Sequence, residues 1–293
     1  MNNTNTSIKN IQKDSYKIFY INLAMDKKKN ADTLHMLHRE FREIPYKRIE
    51  AIYGKDLSDQ YINDTVNIDL YKKHTAYEIK KGTVGCYLSH VKAWEEFIKS
   101  DSEFALILED DTRIKEPYKK DIKNILSELA TKKDNWDILS ISHKKKPKLT
   151  MGSFSAGKKV FFFHAYLQTL HNAGMYIINR KTAENMIINA FPMEMPLDVY
   201  FNKYWEFGDD IKFRGLFPII SFHDEKYVSS RLLTDYDKTN ELSSVEKIYY
   251  RNREYKRKFP RKKIYSYVLI KFILRSKINF TYLYFNLRGF IKN

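Results

Sequence analysis

The sequence predicts an α/β protein in which a largely parallel sheet is covered by helices on both faces. Segments rich in aromatic and β-branched residues alternate along the chain with segments whose apolar residues recur every three or four positions. The run at 104–108, FALIL, is apolar at every position, as expected of a strand that is buried on both faces. In such sheets ligands bind beyond the carboxyl ends of the strands, so we expect the functional site there.

The individual elements follow from the same two patterns. The expected strands are aromatic, β-branched or wholly apolar, and lie at 16–23, 46–52, 104–108, 136–142, 160–163, 175–178 and 217–222. The expected helices carry an apolar stripe, and lie at 26–41, 83–99, 117–132, 181–190 and 198–205. In the first helix Leu34, Leu37 and Phe41 form this stripe, and Pro117 suits the first turn of another. Residues 61–81 have too weak a pattern to assign.

The composition excludes several protein classes. A single Cys permits neither an intramolecular disulfide nor a zinc site built from cysteines, which is typical of a reducing compartment such as the cytosol. Hydrophobic content of 43% and charged content of 30% indicate a folded chain. Residues 1–15 lack the apolar run of a secretory signal, and we expect them to be flexible. The apolar run 264–274 contains Lys271 and is too short to span a membrane.

Positive charge is concentrated at the C-terminus. The chain has 52 Lys and Arg against 36 Asp and Glu, a net charge of +16. Residues 246–293 carry fourteen Lys or Arg and two Glu, interleaved with twelve Tyr and Phe. This composition suits contact between a basic helical extension and anionic lipid headgroups. The alternatives are a solvated helix packed on the body (16–245) and nucleic-acid binding, which is not expected because the body lacks a recognisable reader motif.

Three consecutive carboxylates, Glu109, Asp110 and Asp111, follow the FALIL strand directly. Like charges at this spacing repel one another, so the site needs solvent, protons or a cation to neutralise them. Glu109 and Asp111 are two residues apart and would point the same way in an extended segment, offering two hard oxygen ligands to Mg²⁺ or Mn²⁺. The alternative is a solvated acidic loop.

At this point several short motifs resemble, in their order along the chain, those of glycosyltransferase family 25, the lipooligosaccharide glycosyltransferases. The main motifs are Ile21-Asn22-Leu23, Ala51-Ile52-Tyr53-Gly54, Gly85-Cys86-Tyr87-Leu88-Ser89-His90 and Leu106-Ile107-Leu108-Glu109-Asp110-Asp111. Further matches are Trp136-Asp137-Ile138-Leu139, Ala173-Gly174-Met175-Tyr176-Ile177-Ile178 followed by Ala183, and Pro196-Leu197-Asp198. The resemblance covers about residues 16–231 and leaves the basic extension outside.

The resemblance implies a GT-A-type, Rossmann-like fold and an inverting transfer of galactose or glucose from a UDP-sugar. The acceptor would be a lipid-linked saccharide of the lipooligosaccharide or lipopolysaccharide core, which places the protein at the inner face of the cytoplasmic membrane. Asp111 would be the principal ligand of a divalent cation that bridges the donor diphosphate. Glu109 would assist it or contact the ribose, with Asp110 also at the donor. Such a dication stabilises the negative charge on departing UDP.

The resemblance also implies donor contacts from other motifs. Ile21, Asn22 and Leu23 would lie against the nucleotide base and ribose, and Gly54 would join them. Ser89 and His90 could face the donor near the start of a helix, where anions are favoured. Family members often have Arg a few residues after the first motif, where this chain has Lys at 27–29; Lys lacks the planar fork of Arg.

An inverting transfer needs a base that takes the proton of the acceptor hydroxyl. By resemblance Asp198 is the first candidate, and the alternative is that it caps a short helix. Asp209 and Asp210 are second choices. His223, which follows the last predicted strand, is a candidate third metal ligand.

Other polar residues have simpler expectations. We expect His171 to be packed or hydrogen-bonded within the fold. The lysines at 144–148 could meet phosphates of an anionic acceptor, although such a loop is usually solvated.

Two other classes of function remain open from the sequence. A metal-dependent phosphoryl-transfer enzyme or nuclease would also use paired carboxylates and a basic strip. A non-catalytic, membrane-associated protein that binds saccharide or nucleotide could keep the same fold without the activity.

Overall fold

The computed structural model describes residues 15–75, 77–143, 149–165, 172–202 and 211–227. The strands in these ranges are β1 (Tyr16–Asn22), β2 (Tyr46–Glu50), β3 (Phe104–Glu109), β4 (Thr112–Ile114), β5 (Ile138–Ser140), β6 (Leu149–Ala156), β7 (Lys159–Ala165), β8 (Met175–Asn179), β9 (Phe213–Phe217) and β10 (Ser221–His223). The α-helices are α1 (Lys27–Glu40), α2 (Asp59–Thr65), α3 (Ile68–Thr75), α4 (Lys81–Ile98), α5 (Ile122–Thr131), α6 (Arg180–Ile188) and α7 (Leu197–Asn202).

The described strands form an eight-stranded sheet in the order β2-β1-β3-β8-β5-β9-β7-β6, and β4 and β10 form a separate pair. β1 is parallel to β2 and β3, and β5 is parallel to β9. β8 and β7 run against their neighbours. Most strands of the large sheet therefore run the same way, which confirms the predicted α/β, Rossmann-like architecture.

The sheet has an apolar core on each face. On one face Trp94 and Phe97 of α4 are fully buried together with residues of α6 and α7. On the other face α1 and α5 cover the sheet. β3 explains the FALIL pattern, because Ala105 and Ile107 enter the first core while Leu106 enters the second. Each large apolar side chain buried in this way stabilises the fold by about 1.5–3 kcal/mol.

Several sequence predictions need correction. Residues 61–81, which could not be assigned, contain most of α2 together with α3 and the start of α4. The strand predicted at 217–222 is wrong, because β9 ends at Phe217 and Pro218, which has no N–H to donate, separates it from β10. β4 and β6 were not predicted. The helix expected at 117–132 begins only at Ile122, after a 3-10 turn at Glu116–Tyr118.

Two regions with sequence predictions, 1–14 and 228–293, lie outside the described residues, and so does the end of the helix expected at 198–205. Within the described ranges we find no helix with the length and apolarity needed to cross a bilayer.

Two glycines allow the connection after β2 to pack directly on α4. A Cβ atom on Gly85 would lie 2.6 Å from the Ile52 carbonyl oxygen and 2.8 Å from the Gly54 nitrogen. A Cβ atom on Gly54 would lie 2.0 Å from the Lys81 carbonyl oxygen. The Ser89 hydroxyl ties the same surfaces, since it accepts from the Ile52 N–H (2.8 Å) and donates to the Gly85 carbonyl (2.6 Å). This contact sets the position of the first two turns of α4.

We predict that Gly85→Ala destabilises the protein by about 1–3 kcal/mol, because the added methyl group meets backbone atoms that cannot rotate away. Urea unfolding followed by circular dichroism measures this change. Gly157→Asn is the matched control, since Gly157 has φ +60° with open space around it and Asn tolerates that conformation. Equal unfolding midpoints for the two variants would contradict the packing argument.

Candidate metal and donor site

The candidate site lies at the end of β3, where Glu109, Asp110 and Asp111 turn into β4. Neighbouring strands meet here because β1 is parallel to β3 and β8 is antiparallel to it. The Glu109 N–H donates to the Gly174 carbonyl (2.8 Å), and the Asp110 N–H donates to the Ile21 carbonyl (3.1 Å). The backbone of the acidic turn is therefore held from both sides, at the edge of the sheet where ligands bind in this class of fold.

The three predicted metal ligands come together at this turn. One ligand atom each from Glu109, Asp111 and His223 lie within 4.8 Å of one another. His223 reaches the turn because β10 pairs antiparallel with β4 and places it opposite Thr112. Two carboxylates and one imidazole could hold a divalent cation and would leave coordination positions for substrate oxygens.

The contact between His223 and Asp111 shows why this group suits a cation. His223 Nδ1 lies 3.0 Å from Asp111 Oδ1. Burial would raise the pKa of Asp111, but the hydrogen bond and charge of His223 hold the pKa of that carboxyl below its ordinary value. The carboxylate is therefore ionised at neutral pH, as a metal ligand must be.

Asp110, the middle residue, belongs to a different set of contacts. Its Oδ2 accepts a hydrogen bond from Asn22 Nδ2 (2.7 Å), and its Oδ1 lies 3.4 Å from the Lys29 ammonium. Burial raises the pKa of Asp110 to about 6, although Lys29 and Asn22 oppose this shift. Arg48 in turn donates to Asn22 Oδ1 (3.0 Å). Asp110 thus anchors the turn to β1 and α1.

Glu109 is held by a chain of buried polar groups. His90 Nε2 lies 3.3 Å from Glu109 Oε1, and His90 Nδ1 lies 3.0 Å from the Tyr176 hydroxyl. The Trp94 indole N–H donates to the same hydroxyl (2.9 Å), which leaves the Tyr176 proton free to be donated to His90 Nδ1. The remaining proton of a neutral His90 is then on Nε2 and is donated to Glu109.

This proton arrangement also bears on a second set of possible metal ligands, which consists of Cys86, His90 and Glu109. His90 offers this group an N–H instead of a lone pair, so it does not act as a metal ligand. Desolvation and the nearby Glu109 charge raise the pKa of the Cys86 thiol well above its ordinary value, and a soft sulfur ligand suits Mg²⁺ or Mn²⁺ less well than a carboxylate does. Of the two groups, the one that contains His223 has two carboxylates and is therefore the better match to a hard divalent cation.

Three expected donor contacts have partners inside the fold. His90 is fully buried, Ser89 is 1% exposed with its hydroxyl bonded to backbone groups, and Gly54 is buried against Lys81. All three residues pack within the fold, and their contact with the donor stays a prediction. At the end of β1, Ile21 is also buried, whereas Leu23 is half-buried.

Asp198, the expected base, lies in the first turn of α7. Its Oδ1 accepts a hydrogen bond from the Val199 N–H (2.9 Å), and its Oδ2 lies 3.5 Å from the backbone nitrogen of Asn172. The Asn172 side chain also contacts His223, with 2.6 Å between Oδ1 and Nε2. Asn172 thereby connects the expected base to the metal group. Sequence reasoning missed Asn172, although it precedes the matched motif that begins at Ala173.

The other predicted residues cannot be placed in this way. Asp209, Asp210, His171 and the lysines at 144–148 all lie outside the described residues.

Comparison with known proteins shows similarity to galactosyltransferases. Procollagen galactosyltransferase 2 of Homo sapiens is 26% identical over 201 residues, which cover 64% of this chain and 30% of that protein. Procollagen galactosyltransferase 1 of Danio rerio is 25% identical over 200 residues, 64% of this chain and 32% of that protein. A probable inactive glycosyltransferase 25 family member 3 of Rattus norvegicus is 26% identical over 133 residues, 44% of this chain and 23% of that protein. The chain spans about a third or less of these relatives' length.

Among solved structures, a glycosyltransferase involved in the glycosylation of the major capsid of PBCV-1 aligns with a TM-score of 0.40 and 13% identity, over 75% of this chain and 96% of that one. The family profile of Glycosyltransferase family 25 (LPS biosynthesis protein) matches residues 15–201. That range runs from the start of β1 into α7 and includes the acidic turn, α4 and Asp198. The chain therefore belongs to glycosyltransferase family 25.

Proposed function

We propose that this protein transfers galactose from UDP-galactose to a saccharide acceptor of the lipopolysaccharide core, in a metal-dependent reaction that inverts the anomeric carbon. Family membership supports glycosyl transfer, and the family description supports a lipopolysaccharide acceptor. The relatives named as galactosyltransferases support galactose over glucose as the donor sugar. The acceptor of those relatives, by their names, is procollagen, so donor and acceptor rest on separate arguments.

One observation carries the proposal: Glu109, Asp111 and His223 converge at the carboxyl end of β3 with ligand atoms within 4.8 Å. These residues would hold Mn²⁺ or Mg²⁺. When bound, the dication would stabilise the negative charge that develops on the departing diphosphate. The chain's own contribution is to hold the two carboxylates in place through their contacts with His90 and His223, and His223 also keeps the pKa of the Asp111 carboxyl below its ordinary value.

The acceptor hydroxyl must lose a proton as it attacks, and Asp198 is the proposed base. It is half-buried, and the Asn172 contact ties its carboxylate to the metal group. The Asp198 charge also contributes to the raised pKa of the Cys86 thiol in α4, so the two side chains lie in the same region. A carboxylate that is held there can accept a proton without a rearrangement of the backbone.

The basic extension at 246–293 supports a further part of the proposal. Its net positive charge and its aromatic residues suit the anionic surface of the inner leaflet, where a lipid-linked acceptor would be found. We therefore place the protein at the cytoplasmic face of the membrane, bound peripherally through this extension.

A non-catalytic binding protein is the second candidate, because some relatives are named as inactive members of the family. Such a protein would bind UDP without turnover. Release of UDP from a UDP-sugar, compared with binding of UDP, separates the two functions.

We predict that wild-type protein releases UDP from UDP-galactose only with Mn²⁺, and that Asp111→Asn lowers this release by about 10²-fold or more because a charged ligand is lost. A coupled assay for UDP, run with and without Mn²⁺ and with UDP-glucose as the competing donor, measures it. Asp134→Asn, an exposed carboxylate on the 3-10 turn Lys133–Asn135, is the matched control. Equal release by both variants, with or without metal, would reject the metal role, and UDP binding without release would favour the non-catalytic candidate.

We also predict that Asp198→Asn lowers kcat by about 10²-fold or more while UDP affinity stays near the wild-type value, since the amide keeps the shape of the side chain but cannot take a proton. Steady-state kinetics and calorimetry with UDP measure the two quantities.

The control is Asp69→Asn, which makes the same change to an exposed carboxylate in the first turn of α3. If Asp198→Asn loses UDP binding instead, Asp198 is a donor-binding or structural residue and the base must be sought elsewhere.

A further inference from the structure

Asn172 contacts the ends of strands that are far apart in the sequence. It precedes β8, contacts the end of β5 through Ser142, and contacts His223 at the end of β10. Its backbone has φ +97°, in the left-handed region that non-glycine residues adopt less often and that Asn tolerates better than most. A side chain held at such a position is a candidate for a specific task.

The orientation of the Asn172 amide is set by two backbone partners. Nδ2 donates to the Ser142 carbonyl (2.6 Å), and Oδ1 accepts from the Gly174 N–H (2.7 Å). A flipped amide would place a donor against the Gly174 N–H and an acceptor against the Ser142 carbonyl, so both hydrogen bonds would be lost. The oxygen therefore faces His223.

This orientation dictates the proton arrangement of His223. Nε2 lies 2.6 Å from Asn172 Oδ1, an atom that can only accept, so the proton of a neutral ring is on Nε2. Nδ1 then presents a lone pair toward Asp111 Oδ1, 3.0 Å away. Two acceptors at this distance need a proton or a metal ion between them. The ring packs directly on the Gly174 backbone, where a Cβ atom would lie 2.5 Å from both His223 Cε1 and Nε2.

His90 shows the opposite arrangement on the other side of the carboxylate pair. There the Tyr176 hydroxyl donates to Nδ1, and the N–H at Nε2 faces Glu109. One imidazole therefore supplies a proton to a carboxylate and the other supplies a lone pair. In each case the hydrogen-bond partner on the far side of the ring, Tyr176 for His90 and Asn172 for His223, determines which nitrogen carries the proton.

We propose that Asn172 is a positioning residue that fixes His223 with its proton on Nε2, so that Nδ1 is the atom that binds the metal. The inference rests on the metal site of the proposed function and adds the residue that selects the ligand atom. An outer hydrogen bond of this kind orients a ligand histidine and raises its affinity for metal by about 10–100-fold.

The first test measures Mn²⁺ binding by calorimetry in the absence of any sugar donor. Asn172→Gly removes the side chain and leaves a residue that accepts φ +97°, so backbone strain does not obscure the result. We expect the dissociation constant for Mn²⁺ to rise by about 10–100-fold. Asn189→Gly, the same change at the exposed C-terminal end of α6, should leave it unchanged. Equal affinity of Asn172→Gly and wild type would overturn the proposal.

The second test reads the position of the proton directly in the wild-type protein. Two-bond ¹H–¹⁵N spectra of full-length wild type with Zn²⁺ as a diamagnetic probe should show His223 protonated at Nε2 and unprotonated at Nδ1, with the resonances assigned by their loss in His223→Gln. In Asn172→Gly this preference should weaken, a change that a purely structural role would not produce. A proton on Nδ1 in wild type would overturn the proposal.

The two tests also separate this inference from the proposed function. If wild type binds no Mn²⁺, the metal-dependent function and the inference both fail. If wild type binds Mn²⁺ and Asp111→Asn does not, while Asn172→Gly binds as wild type does, only the role of Asn172 fails.

Discussion

The repulsion between Glu109 and Asp111 is the constraint on which the arrangement of this site depends. Both carboxylates lie at the end of a strand that is buried on its two faces, where charge is costly unless it is balanced. The fold balances them from opposite sides, with an N–H from His90 and with the ring of His223. Asp110 is turned away and paired with Lys29. The result is a carboxylate pair that is held in place from two sides.

The residues that hold this carboxylate pair, directly or through His90, come from different elements of the fold. His90 projects from α4, whose position follows from close packing of Gly85 on the segment after β2. Tyr176 comes from β8, the reversed strand between β3 and β5. His223 comes from the small pair of β4 and β10, outside the main sheet. Because these elements rest on separate parts of the core, the site is built where several packing surfaces meet.

Family membership and site geometry support glycosyl transfer in different ways. The family profile covers the acidic turn, α4 and the start of α7, but ends before β10. His223 therefore joins the carboxylate pair from a segment beyond the matched region. Relatives named as active and as inactive both match this chain, so similarity alone does not separate turnover from binding. The convergence of Glu109, Asp111 and His223, with a lowered pKa at Asp111, is what favours an enzyme here.

Local patterns in the sequence were enough to predict the α/β class, the buried strand at 104–108 and the acidic turn after it, because alternation and charge spacing act between near neighbours. They could not reveal Asn172 or the two histidine proton arrangements. The Asn172 contact with His223 joins residues 51 positions apart, and the Asp111 contact joins residues 112 apart. Such distances depend on which strands pair and in which register, and this is settled by packing of the whole core. The same dependence explains why the burial of Ser89 and His90 could not be predicted from their positions on a helix.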